Sequence, residues 1–175
     1  VLHHTPTPQN AFDEVYRILK PGGKAVLMLY HRNSFNYYIR IMTYMRLRTL
    51  AKIFGRFGKW DADRRQVNSD KLIGLRGNED SSVYDIHYQN FLAEGWIYLT
   101  ADRFVHHCTD GPECPYAYVY SKRDLKKSFK KFKNIRSAVA HFPLRKYRSL
   151  SWIPLGIEKL IARTMGWNLV VYLEK

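Results

Sequence analysis

The hydrophobic residues of this chain change period several times, and each change marks an element. In "TPQNAFDEVYRILKPGG" Ala11, Val15, Ile18 and Leu19 recur at helical spacing. Thr7 can cap that helix, Pro8 suits its first turn, and Pro21, Gly22 and Gly23 stop it. "KAVLMLY", Lys24 to Tyr30, is a near-continuous apolar run, as in a strand buried on both faces of a helix-covered parallel sheet. Val1 and Leu2 read as the end of an earlier strand, so the opening predicts a β-α-β crossover.

From Phe35 to Phe57 the chain reads as helix, broken near Gly55 or Gly58. On a helical projection Phe35, Tyr38, Ile39, Met42, Leu50, Ile53 and Phe57 share a face. Arg48, Lys52 and Arg56 lie opposite, and Arg46 intrudes on the apolar stripe. Asp61 to Ser82 is polar and reads as a long loop. "VYDIHYQNFLAEGW" predicts a short helix ended by Gly95, and "WIYLTADRFVHH" a strand. "CTDGPECPYAYVYS" is a turn-rich loop. Ser121 then caps "KRDLKKSFKKF", with Asp124 at the capping-box position and Leu125, Phe129 and Phe132 as the buried stripe. "IRSAVAHF" predicts a strand, Pro154 to Met165 a helix ended by Gly166, and "WNLVVYL" a final strand.

Composition narrows the picture. The 175 residues are one domain's worth, or part of a larger one, with 46% hydrophobic residues to form a core. No apolar run approaches the roughly 20 residues of a membrane span. Cys108 and Cys114 are too few for a disulfide framework, which makes a reducing cytoplasm the expected setting. The formal charge of +14 invites nucleic acid, an anionic membrane or an anionic ligand. No G-x-S-x-G elbow, P-loop or H-E-x-x-H motif occurs, which argues against those hydrolase and nucleotide-binding classes.

Together, "VLHHTP", "EVYRILKPGGKAVLMLYHRNS", "TDGPECPYAYVYSKRD" and "GWNLVVYLEK" resemble class I S-adenosylmethionine-dependent methyltransferases. The "LKPGG" turn before an apolar strand is the most familiar piece. The resemblance implies a partial, doubly wound Rossmann-like α/β sheet: the end of strand 4, then strands 5, 6 and 7, with a helical insert after strand 5. It divides the chain into a β-α-β segment (1–34), a mostly helical insert (35–115) and a carboxyl-terminal part completing the sheet (116–175). The family's glycine-rich cofactor loop has no counterpart here, since no G-x-G occurs. About half of the catalytic domain is therefore expected to precede Val1, and the 175 residues alone are not expected to bind the cofactor.

The resemblance implies S-adenosylmethionine as cofactor and a small organic acceptor, with a hydrophobic one in view. Leu2, His3 and His4 would lie against the cofactor. His4 is the candidate general base, because histidine titrates near neutrality. The competing reading has both histidines bonded within their loop. Tyr30, His31, Arg32 and Asn33 leave the carboxyl end of the next strand, where ligands collect in open α/β sheets, and are candidate acceptor contacts. Arg32 could fork onto a carboxylate or phosphate. They could equally cap the helix starting near Ser34. Asp110, Tyr116 and Tyr120 sit in the turn-rich loop, a candidate lid. His106, His107, Cys108 and Cys114 are metal-ligand types, but C-x5-C is not a zinc spacing and no metal is expected. The Phe35 to Phe57 helix could lie on an anionic membrane, track nucleic acid, or simply cover the domain. The alternative to an enzyme is a basic, non-catalytic module on a methyltransferase scaffold that binds nucleic acid or a membrane surface.

Overall fold

The computed structural model describes residues 2–65, 83–111, 114, 116–143 and 152–175. They form two compact units, residues 1–38 with 118–175 and residues 39–117.

In the first unit helix α1 (Pro8–Ile18) begins where Thr7 and Pro8 predict. Thr7 makes no side-chain cap bond to the backbone. Instead its Oγ1 accepts from Asn10 Nδ2 (3.3 Å). The helix buries Phe12, and Val15, Tyr16 and Leu19 also pack on the core. Ile18, expected on that stripe, is exposed, because the row runs through Phe12, Val15, Tyr16 and Leu19 at i, i+3, i+4 and i+7.

The "LKPGG" turn reverses the chain at Gly22 (φ +75°), a left-handed conformation glycine adopts without strain. It is tied to the last residue: Gly22 N–H donates to the Lys175 carbonyl and Lys175 N–H to the Gly23 carbonyl, both at 3.0 Å.

Strand β1 (Lys24–His31) follows. The other strands are β2 (Val119–Tyr120), β3 (Asn134–Ala140) and β4 (Asn168–Glu174), in the sheet order β2-β1-β4-β3. β2 runs parallel to β1, pairing Tyr30 with Val119 and His31 with Tyr120. β4 is antiparallel to both β1 and β3, with Leu27 opposite Val171 and Val139 opposite Leu169. The fold is thus α/β with a mixed sheet, compatible with part of a Rossmann-like architecture, and not the parallel sheet that the apolar run suggested.

One sheet face carries Leu29, Leu169, Val171, Leu173 and Val139, and packs with Phe12, Leu125, Phe129 and Phe132 in a single core. Burying each such side chain fully contributes about 1.5–3 kcal/mol. The other face is open among the described residues: Val26 is 61% and Met28 58% exposed, against 1% for Leu29. The expectation of a strand buried on both faces is corrected here, since burial alternates along β1. The expected strand end at Val1 and Leu2 also differs: Leu2–His4 is a 3-10 turn, and Val1 lies outside the described residues.

The second unit is helical. A π-helical stretch (Asn36–Met45), whose first three residues belong to the first unit, leads into α2 (Arg46–Gly55), a 3-10 turn (Phe57–Lys59) and α3 (Trp60–Arg65). The break near Gly55 and the burial of Ile53 are as expected, but the rest of the buried row is not. Ile41, Met45, Thr49 and Ile53 are buried at every fourth residue, while Ile39 and Phe57 are exposed. A π-helical turn holds more than 3.6 residues, so the stripe moves off the α-helical projection. The loop expected from Asp61 is helical as far as Arg65, and its remainder lies outside the described residues.

Helix α4 (Val83–Glu94) ends at Gly95 (φ +70°) as predicted. The strand expected over "WIYLTADRFVHH" is instead a run of tight turns: Gly95–Leu99, the short helix α5 (Ala101–Phe104) and Val105–His107. Its buried residues come as adjacent pairs, Tyr98 with Leu99 and Phe104 with Val105, which a strand's alternation forbids.

Back in the first unit, α6 (Lys122–Ser128) carries the predicted capping box. α7 (Leu155–Met165) precedes β4 and stops at Gly166.

Candidate functional site

The carboxyl end of β1 gathers most of the residues that the sequence singles out in the first unit. The 3-10 turn Leu2–His4 sets His3 and His4 against Tyr30. Ring centroids are 4.2 Å apart for His3–His4, 4.7 Å for His3–Tyr30 and 5.6 Å for His4–Tyr30. His3 is buried, and its carbonyl accepts from Tyr118 N–H (3.3 Å), which pins the turn beside β2. Leu2 packs on the hydrophobic core. His4 therefore stands at the same end of the sheet as His31, and Ala25 to Leu29 are extended.

Tyr30 and His31 leave β1 on opposite faces. His31 is buried, and its Nδ1 lies 3.0 Å from the Gly166 carbonyl oxygen. A carbonyl can only accept, so Nδ1 carries the proton and Nε2 is left as the accepting nitrogen. Burial holds the imidazole below its usual pKa, partly offset by the Gly166 bond and reinforced by the Lys122 charge. Burial thus favours the neutral ring, and the Gly166 bond fixes its tautomer. His31 is a second candidate proton acceptor beside His4.

Arg32 and Asn33 follow on the rim, where Arg32 N–H donates to the Tyr120 carbonyl (2.9 Å). Ser34 Oγ accepts from Tyr37 N–H (3.0 Å), so it is Ser34 that caps the next helix. His31, Arg32 and Asn33 line a cleft of about 690 Å³ together with Ser121, Lys122, Arg123, Asp124 and Lys127.

The lid residues separate. Tyr120 turns into the core, with its ring 5.8 Å from Phe12 and its hydroxyl pKa raised by burial. That position corrects its reading as a lid contact. Asp110 is exposed and Tyr116 half-buried, with its ring 6.3 Å from His106; both belong to the second unit.

Residues 1–27 match the family model described as methyltransferase domain. The match supports a class I S-adenosylmethionine-dependent methyltransferase-like domain, as the resemblance implies. No curated protein and no solved structure gives a significant match. The matched stretch includes the His3–His4 turn, which lies at the rim, together with α1, the "LKPGG" turn and the first half of β1.

The rim has a part that sequence reasoning missed. The Lys122 to Lys133 stretch reads as a solvated cover helix, and its Leu125, Phe129 and Phe132 are indeed buried. Its first turn nonetheless lies beside Arg32, because β2 pairs in parallel with the end of β1. "YVYS" ahead of a capping box is the signal that could have suggested such a strand.

The second unit holds a separate buried polar cluster. His87 is fully buried, with Nδ1 2.6 Å from the Tyr98 hydroxyl, and Asn90 Nδ2 donates to the same oxygen (3.3 Å). Cys108 is buried, and its thiol donates to the Phe104 carbonyl (3.1 Å). Burial pushes that thiol's pKa far up, which leaves it inert as a nucleophile. His106 bonds the Ala117 backbone through Nδ1 (3.1 Å), and Cys114 Sγ donates to the Tyr116 carbonyl (3.1 Å).

Proposed function

We propose that the chain is part of an S-adenosylmethionine-dependent methyltransferase acting on a small organic acceptor bound over the carboxyl end of β1. The observation that carries this reading is the match of residues 1–27 to the methyltransferase domain model, joined to the His3–His4–Tyr30 cluster at that end. Three rings within 6 Å of one another make an aromatic wall, which suits a cationic sulfonium and a flat purine. The residues fit one side of a cofactor site.

When bound, S-adenosylmethionine supplies an electrophilic methyl carbon on a positively charged sulfur. Leu2, His3 and His4 would hold its methionine end. Tyr30 closes the wall behind them. His4 takes the proton that an oxygen or nitrogen acceptor loses as it is methylated, a contribution of about 10²–10⁴ in rate for a well-placed base. Much of the remaining acceleration comes from positioning the acceptor at that rim.

Transfer of labelled methyl groups by the full-length protein from S-adenosylmethionine to small molecules of a cell extract tests the proposal. Incorporation above a heat-inactivated control supports it. None, with the protein shown to be folded, contradicts it.

A second reading is favoured by one observation. Ile39, Tyr44, Leu47, Phe54 and Phe57 stay exposed on a segment that also carries Arg40, Arg46 and Arg48, while a different row of residues is buried. Aromatic and aliphatic groups flanked by arginines suit the surface of an anionic bilayer. Among the described residues no helix is long and apolar enough to cross a membrane. Peripheral contact through this segment is compatible with methyl transfer and does not depend on it.

A further inference from the structure

The cleft on the helix-covered side of β1 has a charge pattern that methyl transfer does not explain. Arg32, Lys122, Arg123 and Lys127 line it, with Asp124 as the one carboxylate among its lining residues. That carboxylate is already committed. Asp124 Oδ2 accepts from the Ser121 backbone N–H (2.8 Å) and from the Ser121 hydroxyl (2.7 Å), while the Asp124 N–H donates back to Ser121 Oγ (3.3 Å). Burial alone would raise its pKa. The two Ser121 bonds and the charges of Arg32 and Lys127 outweigh that and hold it below the usual carboxylate range. Asp124 therefore serves the helix cap, and the lining of the cleft carries four cationic side chains and one carboxylate.

The walls are built from fixed backbone. β1 and β2 run side by side into it, joined by the Arg32 N–H bond to the Tyr120 carbonyl (2.9 Å). Val139 at the end of β3 and Thr164 of α7 close the far side. β1 and β3 both run antiparallel to β4, so their carboxyl ends share this rim. A concave, positively charged site concentrates small anions. A guanidinium held on a strand end can bind two oxygens of one phosphate or carboxylate, with lysines supplying further charge.

We propose that this cleft is a binding site for a small multivalent anion, a phosphate or a carboxylate, held by Arg32 and Lys127 with Lys122 and Arg123 at its mouth. The site is distinct from the His3–His4–Tyr30 wall, which lies on the other face of β1, and it holds whether or not the chain transfers methyl groups.

The test is calorimetric titration of the full-length protein with pyrophosphate, inorganic phosphate and succinate, with ionic strength held constant by sodium chloride. Saturable binding of at least one probe is expected. Tightest binding of pyrophosphate would mark a phosphate site, and tightest binding of succinate a carboxylate site. The double variant Arg32→Gln/Lys127→Gln should bind that probe at least tenfold more weakly. Arg136→Gln, which removes an exposed cation elsewhere on the sheet, should leave the affinity within twofold. If the double variant fails to fold, Lys122→Gln/Arg123→Gln at exposed positions replaces it, with the same expected loss.

No saturable binding of any probe overturns the proposal, as does a loss equal in Arg136→Gln and the cleft variants. S-adenosylmethionine titrated into the same samples separates the two readings. Anion binding without cofactor binding would remove methyl transfer and leave this site standing, and the reverse result would do the opposite.

Discussion

The imidazole of His31 donates through Nδ1 to the carbonyl of Gly166, 3.0 Å away and 135 residues further along the chain. The His31 N–H reaches the Trp167 carbonyl (2.8 Å) as well, so the end of β1 is held twice by the turn between α7 and β4. Gly166 can approach this closely because it has no side chain. A β-carbon there would come within 2.3 Å of the Ala162 carbonyl oxygen and 2.5 Å of that of Ala140. Both obstacles are backbone, so neither can swing aside.

Gly166→Ala should therefore destabilise the protein by about 2 kcal/mol or more and disturb the His31 tautomer. Urea unfolding measures the first effect, and nitrogen chemical shifts of the imidazole measure the second. An unchanged midpoint would contradict the packing described.

His87 predicts an acid-sensitive second unit. Burial, with the His107 charge adding to it, lowers its pKa from an ordinary 6.5 to about 4. A histidine whose pKa is depressed by folding contributes stability above its unfolded pKa and loses it as the pH falls toward the folded one. The window runs from about pH 6.5 down to about 4, and the full loss is about 3 kcal/mol. Unfolding free energy measured across that window should fall more steeply for the wild type than for His87→Gln. Parallel curves would show that His87 does not titrate against folding.

The capping box of α6 predicts a cost that is easy to read. Ser121→Ala removes the side-chain acceptor of the Asp124 N–H and one of the two donors to the Asp124 carboxylate. A loss of about 1 kcal/mol in unfolding free energy is expected. A neutral substitution would mean that the cap is replaced by solvent.

For the exposed face of the π-helical and α2 segment, Leu47→Asp and Phe54→Asp should each weaken partition onto vesicles containing anionic phospholipid by at least tenfold. That factor corresponds to about 1.4 kcal/mol, within what burying one such side chain supplies. Partition unaffected by either change would remove the bilayer contact.

What the sequence made legible was local. The helix over Pro8–Ile18, the glycine turn, β1, β4 and the Ser121–Asp124 box are each written in residues that touch within a few positions. The burial of Ile41, Met45 and Thr49 was not, because a projection at 3.6 residues per turn assumes the helix type it is meant to detect. The insertion of β4 between β1 and β3 depends on pairing across more than a hundred residues. The cationic cleft escaped for the same reason: Arg32 and Lys127 line one cleft only because Val119 and Tyr120 form a strand too short to carry a periodic signal. His3, His4 and Tyr30 were legible as candidates from the resemblance, and only the packing of their rings shows them side by side.

The central claim is that the turn after Leu2 forms part of a cofactor site. Titrating S-adenosylmethionine into the full-length protein and its His4→Ala variant, in a calorimeter, tests it most directly. Saturable binding that weakens at least tenfold in the variant, with the melting temperature preserved, is the predicted result. No binding, or equal affinity in the two proteins, would contradict it.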